Sequence, residues 1–290
     1  MASGLAAFAQ TNSASLRGTV RDTTQAAIVG ARVIITGTAT GRALSAVSSQ
    51  EGLLEIPFLP GASYDLSVEQ QGFQTYRQQG IVLGAGETKR QDVVLKVGNA
   101  SESVTIHSDV SALQTETAQL SASIGPRRIE SLPLLGRNFT SLITMQPGVT
   151  ANTPSNGLSF NINGGPAGNG FTISLDGTDA TAISTQRVAV ARNGFQQTNT
   201  TSLEAVQEIR LYTNNYSAEI GRATSGAMNV VTKSGTNDFH FGLFEYFRNS
   251  ALNANTTVAN AAGRPRAPIR LNQFGANAGG RIIRDRTFFW

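Results

Sequence analysis

The sequence predicts a mainly β protein with three parts in order: a seven-stranded β-sandwich, a small α+β domain, and the first strands of a transmembrane β-barrel that is cut off. Three observations predict this order. Apolar and polar residues alternate over 15–97, with turn residues at short intervals. Glycine-rich turns and short helix signals follow. The segment 238–290 then contains two long stretches of strand pattern, the first with aromatic residues at both ends.

Composition excludes several classes of function. Charged residues make up 14% of the 290 residues, and the formal net charge is +4. The arginines near the C-terminal end lack the dense basic stripe with interleaved aromatics that nucleic-acid interfaces show, so we expect no nucleic-acid partner. The chain contains no cysteine, which excludes disulfides and thiolate chemistry.

Residues with catalytic or metal-binding chemistry are scarce. His107 and His240 lie far apart and lack the spacing of metal ligands. Neither a nucleophile elbow nor a phosphate-binding glycine loop occurs. We therefore expect no enzyme activity, no metal site and no cofactor. No run of about 18 apolar residues occurs, so the sequence predicts no transmembrane helix.

The N-terminal 97 residues contain a short leader and the predicted sandwich. Residues 1–14 fit either the remnant of a secretory signal, with a small-residue site ending at Ala9, or a disordered N-terminus. Over 15–97, period-two alternation, for example at Tyr64, Leu66 and Val68, is interrupted by turn signals. This pattern predicts about seven short strands that pack as two sheets.

The middle of the chain combines helix and strand signals. Residues 98–111 form a polar linker with one alternating stretch, and a mixed domain follows over 112–237. Pro126 can begin a short helix, Asn138 can cap a second over 139–145, and Ser202 can cap a third. The segment 171–175 predicts a strand. Asp176 and Gly177, which follow it, are typical of a β-turn, and a position on a substrate path is the alternative.

Residues 238–290 have the layout of transmembrane β-strands, which need about 9–11 residues, aromatic girdles and short turns at one end. An aromatic stretch, 239–248, is followed by a long polar connection, a return strand over 271–282 and a short charged turn. The final Phe-Phe-Trp would leave an aromatic strand edge unpaired, so we expect a fragment of a longer protein. Three arginines of the predicted outer loop fit contact with anionic lipopolysaccharide or simple solvation: Arg264, Arg266 and Arg270.

The predicted sandwich resembles the carboxypeptidase regulatory-like domain. The resemblance rests on segments 16–20, 28–33, 52–56, 59–64 and 92–95. That module is non-catalytic wherever it is appended to another domain. The resemblance therefore implies a β-sandwich fold and no peptidase activity.

The chain from Val104 onward resembles the plug of TonB-dependent receptors of the Oar-like branch. The strongest match is the run 225–237, Ser-Gly-Ala-Met-Asn-Val-Val-Thr-Lys-Ser-Gly-Thr-Asn. Further matching segments are 113–117, 132–139, 146–149, 174–179, 206–210 and 216–222. The pairs Phe274-Gly275 and Gly279-Gly280, with 287–289, resemble the first barrel hairpin.

The resemblance implies an outer-membrane receptor in which a plug closes a barrel of about twenty-two strands. Uptake would draw energy from the periplasm-spanning TonB protein. By position, five residues resemble the TonB box, which pairs with TonB as an added strand, although a simple interdomain strand is the alternative: Glu102, Ser103, Val104, Thr105 and Ile106. The resemblance also marks these plug-motif residues: Arg137, Asn138, Asp176, Gly177, Glu219, Gly221, Arg222, Thr232 and Lys233. Arg137 and Arg222 would pair with acidic residues of the barrel or of the plug itself.

The implied partners are TonB, outer-membrane lipid and an unknown ligand, which would be a siderophore, glycan, peptide or cobalamin. The location would be the outer membrane, with the sandwich in the periplasm. Two other functions stay open: a non-transporting outer-membrane adhesin or assembly factor, and a secreted binding module. Both predict that residues 102–106 are dispensable. A transporter predicts that their deletion abolishes uptake without preventing membrane insertion.

Overall fold

The computed structural model describes residues 13–98, 103–107, 117–132, 134, 140–152, 159–165, 170–180, 201–218 and 220–290. The chain divides after Lys233 into two compact units. The described residues are mainly β, which confirms the predicted fold class. Within these ranges, no helix has the length and apolar character needed to cross a membrane.

The N-terminal domain is a sandwich of two sheets. Its strands are β1 (Ala14–Asp22), β2 (Arg32–Gly37), β3 (Ala43–Val47), β4 (Leu53–Leu59), β5 (Ala62–Glu69), β6 (Thr75–Leu83), β7 (Thr88–Arg90) and β8 (Val93–Leu95), with β9 (Ser103–His107) added from the linker. One sheet has the order β4-β1-β7, with β8 also paired to β1, and the other has the order β3-β2-β5-β6-β9. Alternate residues of these strands, including Leu16, Val33 and Leu66, fill the core between the sheets.

The strand that closes the sandwich is split into β7 and β8. A Cβ atom at Gly18 would overlap the carbonyl of Gln91, so the absence of a side chain lets these backbones meet. The carboxylate of Asp92 accepts hydrogen bonds from the N–H and the hydroxyl of Thr19, at 3.0 and 2.9 Å. Burial alone would raise the pKa of this carboxyl, but hydrogen bonds from Arg90 and Thr19 outweigh it and lower the pKa.

The second domain is built on a mixed five-stranded sheet. Its elements are β10 (Leu120–Ile124), α1 (Pro126–Ser131), α2 (Thr140–Ile143), β11 (Val149–Asn152), β12 (Ser159–Ile162), β13 (Phe171–Leu175), β14 (Thr178–Asp179), β15 (Val206–Asn214) and β16 (Gly226–Thr232). The sheet order is β10-β15-β16-β13-β14, and β11 and β12 form a separate hairpin. Ile129 of α1 and Leu142 of α2 are buried with Ile209 and Val230 of the central strands, which gives this domain its own core.

Two of the three predicted helices form. Pro126 begins α1, and α2 occupies the middle of the second predicted helix, whose expected cap Asn138 lies outside the described residues. The third prediction is wrong, because 203–205 is a single 3₁₀ turn and β15 begins at once at Val206. The hydroxyl of Ser202 makes no capping bond to the backbone. It lies 2.6 Å from Oε2 of Glu204, to which it donates.

The second compact unit, residues 234–290, contains a long antiparallel hairpin. β17 (His240–Asn249) pairs with β18 (Arg270–Ile283), and β19 (Thr287–Phe289) follows a turn. The amide of Asn237 and the carboxylate and N–H of Asp285 exchange two hydrogen bonds of 2.8 and 3.0 Å beside that turn. The long polar connection contains a 3₁₀ turn and α3 (Thr257–Ala261), which Thr256 caps.

Candidate functional site

Four of the five predicted TonB-binding residues, 103–106, lie in β9 together with His107. Residues 103–107 pair in parallel with residues 75–79 of β6, with Thr105 opposite Arg77. β9 lies at the end of the sheet order, so within the described residues its outer edge pairs with no strand. The side chain of Thr105 is exposed. Glu102 lies outside the described residues. The segment is therefore an edge strand of the sandwich, placed between the two domains along the chain.

The sandwich contacts the second domain through Glu208 of β15. One carboxylate oxygen, Oε2, accepts a hydrogen bond of 3.0 Å from the backbone N–H of Ala85. The other, Oε1, accepts a bond of 2.8 Å from the hydroxyl of Ser123 in β10. Beside this contact, the amide of Gln207 donates to the carbonyl of Gly61 at 3.3 Å. A single acidic side chain thus joins a sandwich loop to two strands of the neighbouring sheet.

A buried charge cluster surrounds this contact. The side chain of Arg210 is 5% exposed, with Nη2 at 3.7 Å from Glu87 and Nε at 3.8 Å from Glu208. Arg210 Nε has no hydrogen-bond partner among the described residues. The two carboxylates come from different domains, so the guanidinium is held between the sandwich and the second domain. Gly84 packs directly on this cluster, since a Cβ atom there would lie 2.8 Å from Arg210 Nη2.

Asp176 and Gly177 form the two-residue turn between β13 and β14. Both have positive φ angles, 47° and 82°, as a tight hairpin of this kind requires. The carboxylate of Asp176 accepts two hydrogen bonds from Thr232, from its N–H at 2.9 Å and its hydroxyl at 2.8 Å. Lys233 lies 2.8 Å from Oε1 of Glu130 in α1. These plug-motif residues therefore fasten the end of β16 to its neighbours.

Arg222 forms an ion pair with Asp179 of β14, within the same domain. The carbonyl of Gly221 accepts a hydrogen bond of 3.0 Å from the hydroxyl of Thr172 in β13. The segment that carries Gly221 and Arg222 is thereby tied to the edge of the sheet. The remaining plug-motif residues lie outside the described residues: Arg137, Asn138 and Glu219.

A cleft of about 360 Å³ opens beside β15. Its lining is formed by neutral hydrogen-bonding residues, most of them amides and hydroxyls: Asn163, Gly165, Thr213, Asn214, Asn215, Tyr216, Thr224 and Ser225. Asn163 donates to the carbonyl of Thr213 at 2.7 Å, and Tyr216 donates to that of Ala223 at 2.7 Å. Among the described residues, the lining carries no charged side chain, so it suits a neutral ligand with many hydrogen-bonding groups.

One face of the β17–β18 hairpin is exposed and mainly apolar, with Glu245 opposite Phe274 as a charged residue on it. Leu243 is 88% exposed, Phe241 78% and Phe274 77%. The pairing places Phe241 opposite Ala278, and Leu243 opposite Ala276, so these side chains share one face. Such an apolar face needs an apolar surrounding.

The other face of the hairpin packs aromatic rings over glycines. A Cβ atom at Gly275 would lie 2.5 Å from the ring of Phe244, directly across the strand pair. Gly279 is covered in the same way by Trp290. The rings fill the space that the missing side chains leave, which stabilises β18 despite its glycines.

No group of three potential metal ligands occurs within the described ranges. His240 lies 3.1 Å from the hydroxyl of Thr236. The arginines of the predicted outer loop are exposed, and Arg266 donates to the carbonyl of Ser250 inside the same connection.

Sequence reasoning missed the Glu208–Arg210 cluster. A signal was present, since β15 reads Val-Gln-Glu-Ile-Arg-Leu-Tyr and places two opposite charges among buried apolar residues. Charges on a buried strand usually have partners. The partner Glu87 lies in another domain, and no local sequence pattern indicates that it pairs with Arg210.

Comparison with known proteins supports the same organisation. Residues 15–96 match the carboxypeptidase regulatory-like domain, and residues 231–290 match an outer membrane beta barrel domain. The TonB-dependent transporter Oar of Myxococcus xanthus is 29% identical over 301 aligned positions, which cover 99% of this chain and 27% of that protein. The chain thus spans about a quarter of that relative's length.

Solved structures give weaker likenesses. The siderophore receptor PirA from Acinetobacter baumannii is 21% identical, with a TM-score of 0.43 over 61% of this chain and 24% of that one. A catechol 1,2-dioxygenase from an Acinetobacter species is 12% identical, with a TM-score of 0.27 over 33% of this chain and 56% of that one. At these scores neither likeness bears on function. The two domain matches and the similarity to Oar confirm both resemblances: residues 15–96 match a carboxypeptidase regulatory-like domain, and the chain is similar along nearly its whole length to a TonB-dependent transporter.

Proposed function

We propose that this chain provides the N-terminal portion of a TonB-dependent outer-membrane transporter that takes up an unidentified ligand. Residues 15–97 form a periplasmic sandwich, 98–111 the linker with the TonB box, 112–237 the plug and 238–290 the start of the barrel. The observation that carries the proposal is the relationship to the Oar transporter along 99% of this chain.

The position of β9 supports a role in TonB binding. Strand addition needs an extended segment with an unpaired edge and alternating side chains. Residues 103–107 supply that edge within the described structure, and they precede the plug along the chain. A pull on this strand would be transmitted along the backbone to β10, the first described strand of the plug.

We infer that the plug-motif residues stabilise the plug and do not contact the ligand. The carboxylate of Asp176 is hydrogen-bonded to Thr232, and Arg222 forms an ion pair with Asp179. Both interactions lie within the domain. We propose the same structural role for Gly177, Gly221 and Lys233, and extend it to the residues outside the described ranges: Arg137, Asn138 and Glu219.

The polar cleft beside β15 supports a hydrogen-bonding ligand. Its amides and hydroxyls include Asn215, Tyr216 and Ser225, and its lining has no charge. Of the four ligand classes, a glycan or a siderophore offers the most hydrogen-bonding groups for such a surface.

The experiment that tests the proposal is site-specific photo-crosslinking in cells. A photoreactive residue at Thr105, on β9, should give a covalent adduct with TonB. The matched control is Val47 on β3, the other edge strand of the same sheet, which is also exposed and should give no adduct. Equal adducts at both positions, or none at either, would contradict the proposal.

Deletion of residues 102–106, the predicted TonB box, separates the alternatives. A transporter loses uptake and still inserts into the outer membrane, whereas a non-transporting adhesin or assembly factor keeps its activity. A secreted binding module would appear in the medium. Membrane fractionation together with uptake assays for ferric siderophores, cobalamin, oligosaccharides and peptides distinguishes the three.

A further inference from the structure

We propose that the sandwich presents residues 103–107 to TonB as an edge strand of its own sheet, so that the TonB strand adds beside β9 while β9 stays paired with β6. The inference rests on the proposed function and gives the sandwich a specific task. The sandwich becomes a platform for partner binding instead of a passive extension.

The register between the two strands is the first observation. Five consecutive pairs join β6 and β9, from Thr75 opposite Ser103 to Gln79 opposite His107. β6 is already paired with β5 on its other side, so β9 completes a continuous sheet of five strands. Every residue of β9 is therefore extended before any partner arrives.

Extension in advance favours strand addition. A segment that is free in a linker must lose backbone entropy when it becomes a strand on binding, which weakens the affinity. In β9 the pairing with β6 has already ordered the backbone. In a strand, alternate N–H and C=O groups point to opposite edges, so pairing on one side leaves a full set on the other.

The connectivity explains why β9 and not β3 is the receiving edge. Both strands end the same sheet. β3 is followed by the remaining strands of the sandwich, whereas β9 is followed along the chain by the plug. Force applied at β9 therefore reaches the plug without unfolding the sandwich core.

The sandwich is also attached to the plug sheet by direct contacts. Glu208 accepts the N–H of Ala85, and Arg210 lies between Glu87 and Glu208. These contacts hold the sandwich on the plug sheet, so the edge offered by β9 has a fixed orientation relative to that domain.

A disulfide lock tests the proposal. The chain has no cysteine, so the double variant Arg77→Cys/Thr105→Cys introduces one defined pair. Both positions are exposed and directly opposite each other on neighbouring strands, a separation that suits a disulfide. The complete membrane protein in detergent is oxidised, and its affinity for the purified periplasmic C-terminal domain of TonB is measured with and without reductant.

The expected result is complete disulfide formation and an affinity that changes less than about twofold between the oxidised and reduced protein. A loss of about tenfold or more on oxidation, reversed by reductant, would show that TonB must strip β9 from β6 and would overturn the proposal. Failure of the disulfide to form would also overturn it. The control Ser67→Cys/Arg77→Cys locks β5 to β6 and should leave binding unchanged.

A second measurement, on the unmodified protein, tests the proposal even if the cysteine variants fail to fold. Hydrogen exchange on the unmodified protein should show slower exchange at 103–107 when the TonB domain is added, with no faster exchange at 75–79. Faster exchange at 75–79 means that β9 has left β6. Thr105→Pro, which removes a backbone donor, should weaken TonB binding at least about tenfold. Unchanged binding in that variant, or no binding by the unmodified protein, refutes the proposed function itself.

Discussion

The carboxylate of Glu208 accepts the backbone N–H of Ala85 at 3.0 Å, across 123 residues of sequence. One residue belongs to the sheet of the second domain and the other to a loop of the sandwich. The contact is more than a surface salt bridge, because it satisfies a backbone donor and lies against the buried guanidinium of Arg210. Its removal should therefore have a measurable effect on stability.

Glu208→Ala should destabilise the protein by about 3 kcal/mol, since it leaves the buried guanidinium of Arg210 with Glu87 as its one acidic partner among the described residues. Glu208→Gln should cost less, because the amide oxygen still accepts one bond. The control is Glu55→Ala, which removes a solvent-exposed pair with Arg17 and should cost less than about 0.5 kcal/mol. The shift in the midpoint of urea unfolding measures each effect. Equal shifts for Glu208→Ala and Glu55→Ala would refute the prediction.

Gly84→Ala should destabilise the same contact by about 1–2 kcal/mol, because the added Cβ atom would press on Arg210 Nη2, Glu208 Oε1 and Glu87 Oε2 at 2.8–3.1 Å. Gly125→Ala is the matched control, since Gly125 has an ordinary φ of −81° and no atom within 4 Å of a new Cβ. Urea unfolding compares the two. A neutral Gly84→Ala variant would mean that the charge cluster moves aside freely.

The burial of Tyr64 predicts that the protein loses stability at alkaline pH. Burial raises the pKa of its hydroxyl to about 12, and the hydroxyl donates to the carbonyl of Pro60 at 2.7 Å. Because the unfolded pKa is about 10, the folded state holds this proton more tightly. The contribution of this hydroxyl to the free energy of unfolding is fully present below pH 10 and is lost as the pH rises through 12. At pH 11.5 the loss should be about 2 kcal/mol.

Tyr64→Phe isolates this contribution, because other buried tyrosines remain in both proteins. The variant should be less stable by about 1 kcal/mol at pH 8, where it lacks the bond to Pro60. Its free energy of unfolding should then fall less between pH 9 and 11.5 than that of the unmodified protein. Parallel pH profiles for the two proteins would exclude Tyr64 as a source.

Asp176→Ala should destabilise the second domain by about 2 kcal/mol. Alanine loses both bonds to Thr232 and is unfavourable at a φ of 47°. Asp176→Asn should retain most of the stability, since asparagine tolerates this conformation and keeps an acceptor oxygen. Thermal unfolding of the two variants gives the comparison, and a loss as large for asparagine as for alanine would show that the charge itself is required.

Leu243→Arg should impair assembly of the complete protein into the outer membrane. The side chain lies on the apolar face of the hairpin, where an arginine in lipid costs about 2–4 kcal/mol. Gln273→Arg places the same charge on the opposite face and should be tolerated. The fraction of heat-modifiable protein in outer-membrane preparations reports assembly. Equal yields for the two variants would contradict the assignment of the lipid-facing side.

The alternation of apolar and polar residues predicted the strands well. Tyr64, Leu66 and Val68 are buried as the period-two pattern predicts. The β17–β18 hairpin and the turn at Asp176 were also predicted, because strand length, aromatic ends and an Asp-Gly pair are local properties. The helix α3 was missed although Thr256 gives a capping signal, since five residues provide little periodicity.

Contacts between segments that are distant in sequence could not be predicted, because no local sequence pattern specifies them. The split between β7 and β8 follows from the approach of Gly18 to Gln91, which depends on packing across the sheet. The pairing of β9 with β6 was not anticipated either, because a five-residue alternating stretch specifies no partner strand. Ser202 looked like a helix cap, but the sheet takes over at Val206 before a helix can extend.

The central place of β1 in its sheet has a consequence for biogenesis. β1 is synthesised before the other strands of the sandwich. It pairs with β4 on one side and in parallel with β7 and β8 on the other, so Ser15 can pair only after Thr88 has been made, and Val20 only after Val93. The sandwich therefore cannot complete its sheet until almost all of its sequence has emerged. Pairing over such sequence separations is slow, and an incomplete chain exposes strand edges. We expect this domain to depend on holding chaperones during its synthesis and export more than its small size suggests.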